Sequence, residues 1–242
     1  MFTKIGIFIV VVLFPIISSG QDVQLQEVAI LRKDIAVEMQ YLIALPQEEP
    51  AAEGWPLLLF LHGLGECGSD INLVKKHGPP KLIENGKRFP FVVVSPQCPR
   101  GSHWEPWRLA VLLDEVVESN DIDEDRIYIT GLSMGGFGTW DLAAYSPERF
   151  AAIAPVCGGG NTLDGKLLIN LPTWVFHGAE DKVVPASFSE SMAAAIRKAG
   201  GRPKVTIYPD AGHDSWTETY ENPALYAWFL KQQRRKNDSR AD

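Results

Sequence analysis

The stretch YITGLSMGGFGTW, residues 128–140, decides the fold that the sequence predicts. A run of β-forming residues leads into the pentapeptide G-L-S-M-G at 131–135, and apolar residues at helical spacing follow it. A G-x-S-x-G pentapeptide between a strand and a helix is typical of a nucleophile elbow, whose small flanking residues permit a sharp turn that exposes the serine hydroxyl. The stretch therefore predicts Ser133 as a nucleophile at the edge of a sheet.

Six short apolar runs alternate with helix-length segments along the chain. They are PLLLFL, FVVVSP, RIYITG, FAAIAP, TWVFHG and KVTIYP. This alternation is typical of an α/β fold with a mostly parallel, twisted sheet that helices cover on both faces. Two antiparallel strands predicted between Val28 and Leu45 bring the expected sheet to about eight strands. Ligands bind at the carboxyl ends of the strands in such sheets, so the loops after these runs should carry the chemistry.

Apolar spacing predicts four helices, which cover residues Trp107 to Val117, Met134 to Tyr145, Ser187 to Ala199 and Asn222 to Gln232. Pro185 and Pro223 suit helix starts, and the glycines at 200 and 201 suit a helix end. No linker of proline or serine divides the segments, so residues 21–242 are predicted to form a single domain.

A serine nucleophile needs a base within hydrogen-bond distance and a carboxylate that orients that base. In enzymes with a nucleophile elbow the acid and then the histidine follow the serine along the chain. Of the two histidines beyond Ser133, His177 ends a strand and leaves little room upstream for its acid, so His213 is the predicted base. Asp181, just after a buried strand, is the predicted acid, and Glu180 is the alternative.

The loop after PLLLFL contains G-x-G-x-x-G at 63–68, the pattern of a dinucleotide-binding turn. That pattern expects a long helix next, but KKHGPPK interrupts the segment, and FVVVSPQCP ends without the acidic residue that binds the ribose. In serine hydrolases the corresponding loop supplies a backbone N–H group to the oxyanion of the tetrahedral intermediate. We therefore predict no cofactor, and we predict Leu64 and Met134 as the oxyanion donors.

The first 20 residues predict a secretory signal peptide. Lys4 precedes an apolar segment from Ile5 to Ile17, and small residues end it near Gly20. The segment is shorter than the roughly 20 residues that a transmembrane helix needs. We expect an exported protein, periplasmic or extracellular, that is free of the membrane once the leader is cleaved.

The formal net charge is −7, and it becomes −8 without the leader, whose only charged side chain is Lys4. Nucleic acid is therefore an unfavourable partner. The three cysteines are too scattered for a zinc site, and no metal is predicted. Cys67 and Cys98 follow neighbouring predicted strands, so one disulfide between them is a hypothesis. The sequence leaves the oligomeric state open.

FLHGLGECG, GLSMGG, FHGAEDKVVP and AGHDSW together resemble the α/β-hydrolase superfamily, near its phospholipase/carboxylesterase and dienelactone-hydrolase-like branches. Some relatives in this superfamily carry a prolyl-oligopeptidase label. The resemblance spans residues 55–228 and implies the triad Ser133, Asp181 and His213. Dienelactone hydrolases themselves use a cysteine nucleophile, and the serine at 133 favours an ordinary serine ester hydrolase. No segment is long enough for a large lid domain.

We therefore predict a secreted carboxylesterase that hydrolyses small or medium acyl esters through a serine acyl-enzyme. His62, Trp104 and Trp216 follow predicted strands and are predicted to contact the substrate, since aromatic side chains beside a crevice bind acyl chains, phenolic acids or sugar rings. The alternatives are a serine peptidase of prolyl-oligopeptidase type, an acetyl or feruloyl esterase acting on polysaccharide, and a catalytically silent binding protein on the same fold.

Overall fold

A computed structural model describes residues 36–234, and the compact unit that contains the sheet begins at Glu38. The predicted signal peptide lies outside the described residues, as does the first strand predicted after Val28. Seven strands form one sheet in the described part of the chain, in the spatial order β1-β3-β2-β4-β5-β6-β7. They are β1 (Tyr41–Ala44), β2 (Trp55–Leu61), β3 (Val92–Pro96), β4 (Ile122–Leu132), β5 (Ala152–Val156), β6 (Trp174–Gly178) and β7 (Lys204–Tyr208).

Strand β1 is the antiparallel strand of this sheet. It pairs with β3 in the register Tyr41 to Pro96, whereas all the other neighbouring strands run parallel. The predicted mostly parallel sheet with an antiparallel start is thus confirmed. Because β2 and β4 to β7 point the same way, the loops that follow them meet at one edge of the sheet.

Six α-helices cover the two faces of the sheet in the described residues. They are α1 (Gly78–Glu84), α2 (Pro106–Ser119), α3 (Met134–Tyr145), α4 (Ser187–Lys198), α5 (Trp216–Glu221) and α6 (Pro223–Phe229). The predicted bounds of α3 match, and those of α2 and α4 agree within two residues. The sequence pattern does not predict α1 and α5, and α6 is shorter than expected.

The differences have local causes in proline and asparagine. Pro79 and Pro80 do not break the segment, because they occupy the first turn of α1, where a missing N–H group costs no helical hydrogen bond. Asn222 has an extended backbone, and its side chain accepts a hydrogen bond from the Ala224 N–H at the start of α6. The chain therefore forms two short helices, α5 and α6, between Trp216 and Phe229.

Strand β2 shows why the sheet needs helices on both sides. Leu57, Leu59 and Leu61 pack on one face with residues of α2, α3 and α4, whereas Leu58 and Phe60 pack on the other with residues of α5 and α6. The second set forms its own core cluster. All five side chains are fully buried, as expected for a central parallel strand whose apolar run is continuous rather than alternating.

All three cysteines are free, buried thiols, so the hypothesised Cys67–Cys98 disulfide is absent from this structure. Burial raises the pKa of the Cys98 thiol to about 12, which keeps it protonated and unreactive at neutral pH. In residues 36–234, none of the helices has both the length and the apolar character needed to cross a bilayer.

Helix α3 approaches the end of β2 so closely that only glycine fits at position 135. A Cβ atom there would overlap the carbonyl oxygen of Leu61, which is backbone and cannot move aside. A Cβ at Gly65 would meet no atom within 4 Å, and the backbone there is free of positive φ. These two positions offer a matched test of the packing.

We predict that Gly135→Ala lowers the free energy of unfolding by about 3 kcal/mol or more, because the added methyl group forces α3 away from the sheet. Gly65→Ala should change it by less than about 1 kcal/mol in either direction. Urea unfolding followed by circular dichroism measures both. Equal stability of the two variants would contradict the close approach of α3.

Candidate active site

Ser133 lies on a sharp turn between β4 and α3. Its backbone has φ 52° and ψ −117°, a region that residues other than glycine rarely adopt. The Ser133 N–H group donates a hydrogen bond to the Val156 carbonyl oxygen at 3.0 Å, which ties the turn to the neighbouring strand. A Cβ at Gly131 would overlap the Gly135 carbonyl oxygen, so the small residues of the pentapeptide are required by the turn itself. The half-exposed serine hydroxyl lies above the end of the sheet.

His213 lies in the loop between β7 and α5 and faces Ser133. Its Nε2 atom is 3.0 Å from the Ser133 Oγ, and its Nδ1 atom is 2.7 Å from Oδ2 of Asp181. The imidazole is 20% exposed, enough for a substrate to reach its edge. The loop of His213 is joined to the loop after β6, because the Glu180 N–H group donates a backbone hydrogen bond to the Ala211 carbonyl oxygen at 3.0 Å.

Asp181 has a fully buried side chain just after β6. Its Oδ1 atom accepts hydrogen bonds from the backbone N–H groups of Val183 and Val184, both at 2.9 Å. Burial by itself would raise the pKa of this carboxyl group. The hydrogen bonds from His213, Val184 and Val183 outweigh burial, so the pKa of Asp181 lies below its ordinary value. The carboxylate is therefore ionised at neutral pH.

The structure thus brings Ser133, His213 and Asp181 into one hydrogen-bonded line. Glu180 is exposed, and the described contacts of His213 are made with Asp181 instead. A carboxylate on Nδ1 holds the N–H there and leaves Nε2 free to accept a proton from the serine hydroxyl. The line can therefore move the serine proton to the imidazole.

The two predicted oxyanion donors both stand at the start of a helical turn. Met134 is the first residue of α3, and Leu64 is the first residue of a 3₁₀ turn that spans Leu64–Glu66. The first N–H groups of a helix have no acceptor within it, so they are free to bind an anion. A Cβ at Gly63 would come within 2.8 Å of the Leu132 side chain, so the loop that carries Leu64 packs next to the elbow.

His62 and Trp104, predicted to contact substrate, are instead buried behind the loop that carries Leu64. The Cys98 N–H group donates to His62 Nε2 at 3.0 Å, so the other ring nitrogen carries the proton and donates to the Gly63 carbonyl at 2.6 Å. Trp104 donates from Nε1 to the His62 carbonyl at 3.1 Å. The two side chains are 0% and 3% exposed, and the prediction is corrected for this reason. They hold the loop in place.

Trp216, the third predicted substrate contact, stays a candidate. It is half-buried, and its ring packs edge-on against His213 with 5.2 Å between the ring centroids. His77 packs on Trp216 in the same way at 5.4 Å. Trp216 therefore forms one wall beside the imidazole of His213.

Two further polar groups near the site are missed by sequence reasoning. Glu66 ends the 3₁₀ turn that begins at Leu64, and burial of its side chain raises the pKa of its carboxyl group. His177 is wholly buried and contacts Asp181. The spacing H-x-x-x-D in FHGAED is the available signal, because His177 and Asp181 are separated by three residues and their side chains meet across the turn after β6. Among residues 36–234, no group of three or more His, Cys, Asp or Glu side chains could bind a metal.

Comparison with known proteins places the chain in a family. The profile of the dienelactone hydrolase family matches residues 108–235, more than half of the sequence, so the chain belongs to this family. A solved structure of a thermostable esterase is 34% identical, with a TM-score of 0.71 over 82% of this chain and 60% of that one. The fold is accordingly that of the α/β-hydrolases.

Two curated relatives match parts of the chain. A carboxymethylenebutenolidase homologue of Salmonella typhimurium is 32% identical over 103 residues, which cover 39% of this chain and 38% of that protein. The bifunctional acetylxylan esterase/xylanase XynS20E of Neocallimastix patriciarum is 30% identical over 188 residues, which cover 72% of this chain and 26% of that protein. The chain thus matches well under half of the length of either relative.

The buried imidazole of His62 should make stability depend on pH. Burial lowers the pKa of His62 from 6.5 to about 4. Between these values the unfolded chain binds the proton and the folded protein does not, so stability present above pH 6.5 is lost as the pH falls toward 4. The loss attributable to this group is about 3 kcal/mol.

We predict that His62→Gln flattens the dependence of unfolding free energy on pH between 6.5 and 4, whatever its effect at neutral pH. Urea unfolding at several pH values measures the slope. His103→Gln, at an exposed histidine, should keep the slope of the unmodified protein. The prediction is wrong if His62→Gln and the unmodified protein lose stability in parallel.

Proposed function

We propose that the protein is a serine hydrolase that cleaves carboxylic esters through an acyl-enzyme. The observation that carries this proposal is the hydrogen-bonded line from Ser133 Oγ through His213 to Asp181, with distances of 3.0 and 2.7 Å. Membership of the dienelactone hydrolase family and similarity to a thermostable esterase support ester bonds as the target.

In the first half of the reaction, Ser133 Oγ attacks the ester carbonyl carbon while Nε2 of His213 takes the hydroxyl proton. The negative charge that develops on the carbonyl oxygen is bound by the N–H groups of Leu64 and Met134. Such a donor contributes roughly 3 to 4 kcal/mol to the stability of the transition state. The intermediate collapses as the bond to the alcohol oxygen breaks, and His213 gives its proton to the departing alcohol.

In the second half, water replaces the alcohol. His213 accepts a proton from water as the oxygen attacks the acyl carbon, and the same N–H groups bind the second oxyanion. Ser133 then leaves as the C–O bond to its Oγ breaks, and it regains a proton from His213. Asp181 stays ionised throughout and stabilises the imidazolium that forms in each step.

Small or medium acyl esters are the proposed substrates. The side chains of Leu64 and Val183, on the loops of the oxyanion donor and the acid, are 66% and 70% exposed. Trp216 adds an aromatic wall beside His213. These apolar surfaces come from three separate loops at the same edge of the sheet as Ser133, and they suit an acyl chain or a compact ring.

A polysaccharide deacylase is the second candidate, because a relative of 30% identity is named a bifunctional acetylxylan esterase/xylanase. The two candidates share the chemistry and differ in the alcohol. Hydrolysis of nitrophenyl acetate and butyrate, compared with acetate release from acetylated xylan, distinguishes them. Cleavage of peptide amides in preference to these esters would contradict both candidates.

We predict that Asp181→Asn lowers kcat for nitrophenyl acetate by up to about 10⁴-fold, because an amide at this position favours the wrong tautomer of His213. Glu180→Gln, a change of the same kind at the exposed neighbour, should leave kcat within a factor of two. Steady-state kinetics at pH 8 measures both variants. Loss of activity in Glu180→Gln with retention in Asp181→Asn would reverse the assignment of the acid.

We also propose export with cleavage near Gly20, on the basis of the charged start of the chain and the apolar segment that follows it. When the full chain is expressed in a bacterium with a secretory pathway, the mature protein should begin near Gln21 and leave the cytoplasm. Intact-mass measurement of the purified protein tests the proposal. A protein that keeps residues 1–20 and stays cytoplasmic would contradict it.

A further inference from the structure

His177 has no part in the proposed reaction, yet it contacts the triad carboxylate. The side chain is fully buried at the carboxyl end of β6. Its Nε2 atom lies 3.2 Å from Oδ2 of Asp181 and 2.8 Å from the Val184 carbonyl oxygen. Its Nδ1 atom lies 2.7 Å from Oγ of Ser189 in α4. Both ring nitrogens thus have close partners.

The partners determine where the protons lie on this ring. The Val184 carbonyl oxygen can only accept a hydrogen bond, so Nε2 must donate. The Ser189 hydroxyl donates its single hydrogen to the Gly158 carbonyl at 2.8 Å, which leaves only its lone pairs for Nδ1. Nδ1 must therefore donate as well. A histidine that donates from both nitrogens is a positively charged imidazolium.

The carboxylate of Asp181 is a further acceptor for this ring, because the single Nε2–H group of His177 is shared between the Val184 carbonyl oxygen at 2.8 Å and Oδ2 of Asp181 at 3.2 Å. It has about four lone-pair positions. The N–H groups of Val183 and Val184 occupy Oδ1, and the rings of His213 and His177 share Oδ2. A buried imidazolium is tolerated next to a buried carboxylate because the two charges compensate each other.

We propose that His177 is a charged positioning residue of the triad, which fixes Asp181 and makes proton uptake by His213 less favourable. The charged state of His177 is independent of the proposed function, and only its expected effect on catalysis rests on that function. Two imidazoles share one carboxylate oxygen, so a positive charge on His177 opposes a positive charge on His213.

Other titratable groups face the same cluster from neighbouring elements. Cys157 follows β5 and interacts with Asp181, but burial raises the pKa of its thiol to about 12, which keeps it uncharged. Asp214 lies next to His213 in the loop before α5, where it is exposed. Helix α4 contributes the uncharged Ser189. In the described chain, His177 is thus the cation that these contacts place against Asp181.

The first test compares H177Q with H177N. Glutamine extends an amide N–H group to about the position of Nε2, whereas the shorter asparagine reaches only about the position of Nδ1. Each variant removes the charge of His177. We therefore expect the acid limb of the pH profile, which is the decrease of kcat/KM for nitrophenyl acetate at low pH, to move up by about 1 pH unit in each variant. H177N should also lose about tenfold in kcat, because Asp181 loses a donor.

Thermal unfolding shows whether each variant is folded before its pH profile is interpreted. An acid limb that stays in place in the folded variants would overturn the proposal, and a shift in H177N alone would overturn the charged state. A role confined to packing predicts a lower midpoint of unfolding with an unchanged pH profile. It would therefore also count against the inference.

The second test needs neither a variant nor activity. In protein labelled with ¹⁵N in its histidine rings, the His177 ring is assigned by through-bond correlation to its backbone. At pH 7 both of its nitrogens should show the chemical shift of a protonated ring nitrogen. One protonated and one bare nitrogen would overturn the charged state. If the protein hydrolysed no ester, the proposed function would fail while this measurement still decided the inference.

Discussion

The close approach of α3 to the ends of the central strands is the constraint on which the site depends. Gly135 lies against the backbone of Leu61, and Gly136 lies against that of Val156, so the helix begins directly above the sheet. The chain must turn within one residue to enter the helix from β4, and Ser133 takes the positive φ that this turn requires. The strained conformation persists because α3 packs on both β2 and β5, and this packing allows the turn no other backbone conformation.

The loops that complete the site are fixed to one another in the same way. Gly178, at the end of β6, lies against the backbone of residues 211 and 212, so that the acid loop and the histidine loop are in contact. The imidazole of His213 is thereby held between a buried carboxylate and an accessible hydroxyl. Preorganisation of this kind means that little structure has to move when charge develops in the proposed reaction.

The sequence predicts those parts of the structure that depend on local pattern. The bounds of α3 follow from apolar spacing, and Ser133, Asp181 and His213 follow from their order along the chain and from the strands that precede them. The three side chains meet in the structure because parallel strands deliver their following loops to one edge of the sheet. Local sequence pattern predicts neither the register of a strand nor the direction of a loop side chain.

The errors show where local pattern fails. An aromatic residue in a loop, such as Trp104, looks available for substrate, but tertiary packing buries it under Gly138 and against His62. The sequence suggests His177 only as a competing base, because its contact with Asp181 depends on how the chain turns after β6. The roles of Trp104 and His177 both depend on their burial. Burial depends on how the helices pack on the sheet and cannot be read from a single segment. The polar groups behind the site therefore become visible only in three dimensions.

The most direct measurement of the central claim is covalent labelling with a fluorophosphonate, followed by peptide mapping. The phosphorus atom is attacked by an activated serine with loss of fluoride, so the reagent reports activation of the nucleophile without a chosen ester. The account predicts one adduct per chain, on the peptide that contains Ser133, and a greatly reduced labelling rate in His213→Ala. An adduct on another residue, or no adduct on the folded protein, would contradict it.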